Sequence, residues 1–449
     1  MIQKVFALFI TILLLFLTAS AFAEAVEHEA FARQYATDMI SGEKNSELYD
    51  LFTDDVKSKF PKEAFDALWA QTAVTCGIFE DFGSFEFKQS QGYDIYILRL
   101  NMTKKDLLLI LTLDASGKVA GLNFDNAPKE EESSSENLPE GIMEEAVIVG
   151  EGKWALNGKL TLPQEGSSLP AVVLVHGSGP CDMNATIGKT KLFQDMAQSL
   201  AQNGIAVLRY DKRTFAHGAL FTQADSESFT MKEEYVDDAL WAGKLLMQHN
   251  RIDKERIFLV GHSQGAMAGP RIVSQSNGVF AGMILISGSP LPLGDIVIAQ
   301  NEDVLAKLTE EQRATQQPLL DAEIQKLNAL LKMTPEEAKK STAFGLPGYY
   351  LYEMYQFKPA ALVLDMKLPT LIMQGGADFQ VSQKNGMDAW KNTLRESDFV
   401  AYKWYPELNH VMMKYSGDPA LQYTIQEYNE PASLDETVAS DMIDWLLNH

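Results

Sequence analysis

Two hydrophobic rhythms divide this chain. Near the N-terminus, Phe31, Tyr35 and Met39 recur at helical spacing within Glu27 to Ile40. Ser46 to Phe52 and Pro61 to Ala70 read as further short helices, with Pro61 suited to a first helical turn. From Gly77 the period changes. Ser84 to Lys88, Tyr93 to Asn101 and Asp106 to Leu113 alternate or run apolar, and Lys118 to Phe124 follows the turn Asp114-Ala115-Ser116-Gly117. Helices followed by an antiparallel sheet predict a small α+β domain over residues 24–125. Residues 126–141 are polar, carry two prolines and lack apolar periodicity, which predicts a linker.

Residues 142–449 have a different grammar. Glu145 to Val149 and Trp154 to Leu162 predict a pair of antiparallel strands. Unbroken apolar runs then alternate with helical patterns. The runs are Ala171 to Val175, Ile205 to Arg209, Ile257 to Val260, Met283 to Ile286, Thr370 to Gln374 and Phe399 to Trp404. Such runs are expected of strands buried on both faces of a mostly parallel sheet. Leu192 to Asn203 predicts one covering helix. Thr230 with Glu233, and Ser433 with Glu436, predict capping boxes opening helices that run to Gln248 and Leu447. The alternation breaks at about residues 291–368. There Ile296 to Leu308, Glu310 to Leu331 and Pro335 to Lys340 read as helices, and Tyr349 to Phe357 is rich in aromatic residues. An inserted helical cap over the sheet edge is the expectation.

Met1 to Ala23 stands apart from both domains. Lys4 precedes an apolar run from Val5 to Leu17, and Ala21-Phe22-Ala23 offers a cleavage site. This predicts a signal peptide and an exported protein, periplasmic or secreted. The run is shorter than the roughly 20 residues of a spanning helix, so no membrane anchor is expected after cleavage. The net charge of −23 argues against nucleic acid as a partner. Cys76 and Cys181 form no metal or redox pattern.

The chemistry gathers around Gly261-His262-Ser263-Gln264-Gly265, which directly follows an apolar run and precedes a helix-like stretch ahead of Pro270. A sharp strand-to-helix turn would present the Ser263 hydroxyl, and the flanking glycines remove Cβ atoms that would clash. A serine needs an adjacent base. The chain has seven histidines. His28 lies in the first domain, where solvated helix surface is expected, and His449 is terminal. His249 precedes a strand, His262 flanks the serine, and His176 and His217 precede the acid in sequence. His410, in a loop after the last strand, remains. Asp378 follows a strand by a glycine turn and is the expected orienting carboxylate. Asp365 precedes that strand and Glu407 sits close to His410 in sequence; both are less favoured. The backbone N–H of Gln264 is the expected first oxyanion donor and that of Ser178 the second, with Gly177 and Gly179 as close alternatives.

His176-Gly177-Ser178-Gly179-Pro180, Gly261-His262-Ser263-Gln264-Gly265, Gln374-Gly375-Gly376-Ala377-Asp378 and Leu408-Asn409-His410 appear in the order nucleophile, acid, base. On these motifs the chain from about Ile142 to His449 resembles the α/β-hydrolases. It is nearest to exported bacterial acyl-ester hydrolases related to dienelactone hydrolases and prolyl-oligopeptidase-type peptidases. The segment from Gly204 to Arg213 strengthens the match. The resemblance implies an α/β-hydrolase fold with a helical cap insertion, preceded by the small α+β domain. It also implies carboxylic-ester cleavage through an acyl-enzyme, with no metal and no cofactor, on a small-molecule ester. A serine peptidase and a non-catalytic binding protein on the same scaffold are the alternatives. Tyr350 and Tyr355 are candidate walls of an acyl pocket. Arg209, Asp211 and Arg213 read as structural ion-pairing residues near the site edge.

Overall fold

The computed structural model describes residues 28, 31–90, 93–127, 138–218, 221, 227–395 and 397–449. The expected signal peptide and most of the expected linker lie outside them. The described chain divides into two compact units, one before residue 128 and one from Leu138 onward. Among the described residues no helix is long and apolar enough to cross a membrane.

In the first unit, helices at 31–41, Asn45–Asp50, Asp54–Lys59 and Lys62–Cys76 precede four strands. These are β1 (Phe79–Ser90), β2 (Tyr93–Met102), β3 (Leu107–Leu113) and β4 (Val119–Asn126), antiparallel in the order β1-β2-β3-β4. Strand β3 alternates between buried and half-buried residues, and its buried set packs with Tyr35, Met39, Phe52 and Phe65. His28 departs from the sequence expectation. Its ring stacks on Phe87 with centroids 3.7 Å apart, and its Nδ1 pairs with the Tyr96 hydroxyl at 2.8 Å. A helix position that looks solvated from its own sequence neighbours faces an aromatic patch of the sheet.

The second unit is built on an eight-stranded sheet. Its strands are β5 (Ile142–Val149), β6 (Leu156–Pro163), β7 (Leu169–Val175), β10 (Ala206–Tyr210), β11 (Ile252–His262), β12 (Gly282–Ile286), β15 (Thr370–Gly375) and β16 (Val400–Tyr405). A small hairpin, β8 (Thr186–Ile187) with β9 (Thr190–Lys191), lies outside it. The order is β16-β15-β12-β11-β7-β10-β6-β5. From β16 to β10 all neighbours are parallel, and β6 and β5 add antiparallel pairs. Alternation inside the apolar runs splits the core into two layers. Ile257, Leu259, Ala171, Val173 and Leu285 face one helical layer. Phe258, Val260, Val172, Leu174 and Ile284 face the other.

Three helix signals differ from expectation. The helix after the sharp turn at Ser263, the elbow, runs Gln264–Ser274 straight through Pro270. Burial of nearly its whole length against the sheet outweighs the roughly 3 kcal/mol that an internal proline costs. Before the helix Asp237–Gln248, residues Lys232–Val236 form a π-helical turn. Half of the capping box is present, since Thr230 N–H donates to Glu233 Oε2 at 2.9 Å. The Thr230 hydroxyl accepts from Lys232 instead of Glu233, at 3.1 Å. At the closing helix Glu436–Asn448 the cap is Asp435, accepting from Thr437 N–H at 2.8 Å. Ser433 does not cap it. Leu434 N–H is held by Asp195 and Asp435 N–H by the Met412 carbonyl, so the helix starts two residues later.

Between β12 and β15 lie helices Leu293–Ala306, Glu310–Leu330, Pro335–Ala338, Gly348–Gln356 and Pro359–Met366. The strands β13 (Thr342–Ala343) and β14 (Leu346–Pro347) form a short hairpin among them. This insertion has its own small core around Leu305, Leu320, Leu327, Leu330 and Leu351. Tyr350 and Met354 on the opposite side of helix Gly348–Gln356 join the main core.

Candidate active site

Five loops bring the sequence-predicted residues, together with Lys212, to one edge of the sheet. Lys212, Ser178, Ser263, Asp378 and His410 follow the carboxyl ends of β10, β7, β11, β15 and β16, where open parallel sheets gather their sites. The turn at Ser263 is strained, with φ 53° and ψ −117°. A non-glycine residue held there costs about 1–3 kcal/mol. Flanking contacts impose the strain. A Cβ on Gly261 would strike the Gly265 carbonyl, and a Cβ on Gly265 would strike the carbonyls of Val175 and His176. Ser263 N–H is anchored on the Ile286 carbonyl at 2.8 Å. From Phe258 to Pro270 every residue is buried except Ser263. The fold thus offers one hydroxyl from an otherwise closed strand-turn-helix.

His410 Nδ1 lies 2.8 Å from Asp378 Oδ2, and both side chains are almost fully buried. The other Asp378 oxygen accepts from the N–H groups of Gln380 and Val381 at 2.8 and 2.9 Å. The carboxylate therefore takes Nδ1–H and leaves Nε2 as the free acceptor of the ring. The rival carboxylates lie elsewhere. Glu407 pairs with Lys414 on the surface, and Asp365 is an exposed position of helix Pro359–Met366.

The other histidines of the second unit are committed to backbone or surface partners. His262 Nε2 donates to the His410 carbonyl at 2.9 Å, and His176 Nε2 to the Asp182 carbonyl at 3.0 Å. Burial first, then the neighbouring His410, holds the His262 pKa down at about 3. Burial first, then the Lys212 charge, does the same to His176, also to about 3. Both rings are neutral at ordinary pH. His217 donates to Ala155, His249 lies 3.4 Å from Glu145, and His449 bonds the Trp445 carbonyl.

Gln264 is buried and Ser178 is exposed. The Gln264 side chain donates from Nε2 to the Tyr350 hydroxyl at 2.6 Å, and that hydroxyl donates to Glu234 Oε2 at 2.6 Å. Tyr350 is thus closed into the core with its hydroxyl fully engaged. Tyr355 is half-buried and donates to Asp295, joining two helices of the insertion. The structure brings Tyr350 to the elbow and places Tyr355 within the insertion. A further tie runs from Gln300 Nε2 on helix Leu293–Ala306 to the Gln380 carbonyl beside Asp378, at 2.6 Å.

Sequence reasoning missed Lys212 and Glu234. Lys212 is buried, and its Nζ lies 2.7 Å from Glu234 Oε1. It also donates to the carbonyls of Gly177 and Gly179 at 2.8 Å each. The one available signal was the position of Lys212 just past the carboxyl end of a core strand. Its neighbours Arg209 and Arg213 end in ion pairs with Glu144 and Asp238, and Asp211 accepts from Met183 N–H. Cys76 and Cys181 are free thiols.

Comparison with known proteins places these motifs in a family. A family model described as "Serine aminopeptidase, S33" matches residues 167–415, more than half of the chain. Another, described as "Protein of unknown function (DUF3887)", matches residues 32–122. Esterase EstD of Thermotoga maritima is 31% identical over 435 residues, spanning 96% of this chain and 98% of that protein. Among solved structures, an esterase of Pyrococcus furiosus is 17% identical over 72% of this chain and 96% of its own, with TM-score 0.42. An esterase of Pyrobaculum calidifontis is 15% identical over 68% and 85%, with TM-score 0.41. The chain belongs to the α/β-hydrolase superfamily and, within it, to the serine hydrolases that include the esterases.

Proposed function

We propose that this protein hydrolyses carboxylic esters through an acyl-enzyme on Ser263. The observation that carries the reading is the buried His410–Asp378 pair on the same sheet edge as a single strained, solvent-reaching serine. His410 Nε2 takes the Ser263 proton as Oγ attacks the ester carbonyl, and later returns it to the leaving alcohol. Asp378 orients the ring and balances the imidazolium. The N–H groups of Gln264 and Ser178 receive the developing oxyanion. Water then repeats the sequence to free the acid. The substrate is a small-molecule ester. The insertion screens its acyl group, with Tyr350 shaping the pocket from beneath through Gln264 and Tyr355 from within the insertion. The motif in Met1 to Ala23 supports export to the periplasm or medium.

A fluorophosphonate probe and a soluble aryl acetate test the reading. The parent should be labelled and active, and Ser263→Ala should lose labelling with turnover reduced by up to about 10⁶. A folded Ser263→Ala protein keeping more than a few per cent of activity rules out this nucleophile. The match to an aminopeptidase family model favours amide cleavage as a second reading. An aminoacyl anilide cleaved as fast as the matching ester would establish it. The 31% identity to an esterase over 96% of this chain is why ester cleavage is put first.

A further inference from the structure

Lys212 is 1% exposed. Removing a cation from water costs several kcal/mol unless partners replace the solvent. Here four oxygens lie within 2.8 Å of Nζ: Glu234 Oε1, the Gly177 and Gly179 carbonyls, and the Tyr235 hydroxyl. Tyr235 in turn donates to the Gly177 carbonyl at 3.0 Å. One carbonyl of the loop after β7 therefore receives two donors from the interior. That loop touches the nucleophile, since a Cβ on Gly177 would lie 3.2 Å from Ser263 Cβ.

Peptide planarity carries the consequence. The Gly177–Ser178 peptide is trans, so the C=O of Gly177 and the N–H of Ser178 point in opposite directions. With the carbonyl held inward on Lys212 and Tyr235, the Ser178 N–H faces away from the interior, at an exposed residue that follows Gly177, the neighbour of Ser263. The same ion pair reaches the other half of the site. Glu234 Oε2 accepts from the Tyr350 hydroxyl, which accepts from Gln264 Nε2. The elbow residue Gln264 and the Gly177–Ser178 peptide thus hang on one buried Lys212–Glu234 pair.

We propose that Lys212 is a positioning residue of the oxyanion hole, holding the Gly177–Ser178 peptide so that its N–H meets the substrate oxygen. The inference rests on the reading of Ser263 as nucleophile. It implies that Lys212 acts on the tetrahedral state and little on ground-state binding. Orientation of a donor matters only when charge develops on the oxygen it faces.

The test compares the full-length parent with Lys212→Met, Tyr235→Phe and Ser263→Ala. Three quantities are read: kcat and KM on a soluble aryl acetate, and the inhibition constant of an aryl trifluoromethyl ketone. With the ketone, Ser263 Oγ bonds the carbonyl carbon, the C=O pair becomes a C–O⁻, and the hydroxyl proton goes to His410. That adduct needs the oxyanion donors as the ester does. Lys212→Met should lower kcat by about 10²–10³, the range for losing one such donor, with KM changed less than about threefold. Tyr235→Phe, which removes one donor to the same carbonyl and leaves the charge, should lower kcat about five- to tenfold. In both, ketone affinity should fall by the same factor as kcat. A folded Lys212→Met protein with near-parental kcat overturns the proposal. So does a loss of kcat with unchanged ketone affinity. If Lys212→Met does not fold, Tyr235→Phe decides alone by the same proportionality. Ser263→Ala separates the two readings. Inactivity there with parental behaviour at Lys212 and Tyr235 defeats only the oxyanion role, and full activity there defeats the nucleophile and this inference together.

Discussion

His262 Nε2 donates to the carbonyl oxygen of His410 at 2.9 Å, so the residue before the proposed nucleophile grips the residue that carries the proposed base. The rings lie 4.9 Å apart. The bond joins the end of β11 to the loop after β16, two strands with β12 and β15 between them in the sheet. His262→Phe keeps a ring of similar size and removes the donor. A misplacement of about 1 Å in a reacting group can cost on the order of 10² in rate. We expect kcat to fall about 10- to 100-fold with KM little changed. Steady-state kinetics on an aryl acetate checks this, and parental kcat in the folded variant would show that the bond is not needed for alignment.

The same residue makes stability depend on acidity. Burial first, then His410, lowers the His262 pKa to about 3, against roughly 6.5 for an unfolded histidine. A depressed histidine means that the unfolded chain binds the extra proton, so its contribution is present above about pH 6.5 and is lost as pH falls toward 3. The stability of the parent relative to His262→Asn should therefore drop by about 1.4 kcal/mol per pH unit between about pH 6 and 4. Urea unfolding at pH 7, 6, 5 and 4 measures the gap. A gap that stays constant over that range refutes a neutral, buried His262.

Asp378 is the carboxylate in contact with His410, while Glu407 and Asp365 are turned to other partners or to solvent. Asp378→Asn preserves the shape but offers Nδ1 an amide, which permits the wrong tautomer. Turnover should fall by on the order of 10⁴. Asp365→Asn and Glu407→Gln should stay within about twofold of the parent, as surface substitutions do. Comparable losses at Asp378 and either control would move the orienting role away from Asp378.

What the sequence made visible follows from how local each cause is. Ile257 to Val260 and Ala171 to Val175 are buried on both faces, so their apolar runs announce core strands without help from the rest of the chain. The glycines around Ser263 are dictated by clashes with the elbow's own residues and the adjacent strand, so their spacing is readable too. Lys212 is different. It sits in Arg209-Tyr210-Asp211-Lys212-Arg213, a polar run that looks like surface, and it is interior because Glu234 comes to meet it across the fold. Glu234 is equally hidden. Its neighbour Glu233 carries the capping signal, and the π-helical turn that turns Glu234, Tyr235 and Val236 inward has no local signature. His28 and Asp435 repeat the lesson on a smaller scale, since a sheet face decides one and a pinned backbone the other.

The two tyrosines of helix Gly348–Gln356 separate pocket shape from packing. Tyr350 is buried between Gln264 and Glu234, whereas Tyr355 is half-buried and bonds Asp295 inside the insertion. Tyr350→Phe strips a hydroxyl from two buried polar groups, and an unsatisfied group of this kind costs about 1–3 kcal/mol. Tyr355→Phe leaves Asp295 able to reach water and should cost less. For substrate choice the truncations are more telling. Removing the Tyr350 ring opens space beside Gln264, and removing the Tyr355 ring loosens the tie between helices Leu293–Ala306 and Gly348–Gln356. A methylene gained or lost in an apolar pocket is worth about 1–3 kcal/mol, so discrimination between acyl chains should shift by graded steps. Tyr350→Ala and Tyr355→Ala should each alter the ratio of kcat/KM for acetate, butyrate and octanoate esters. Ser263 should still be labelled by a small fluorophosphonate in both. Parental chain-length profiles in two folded variants would make the insertion a cover that excludes water and takes no part in choosing the acyl group.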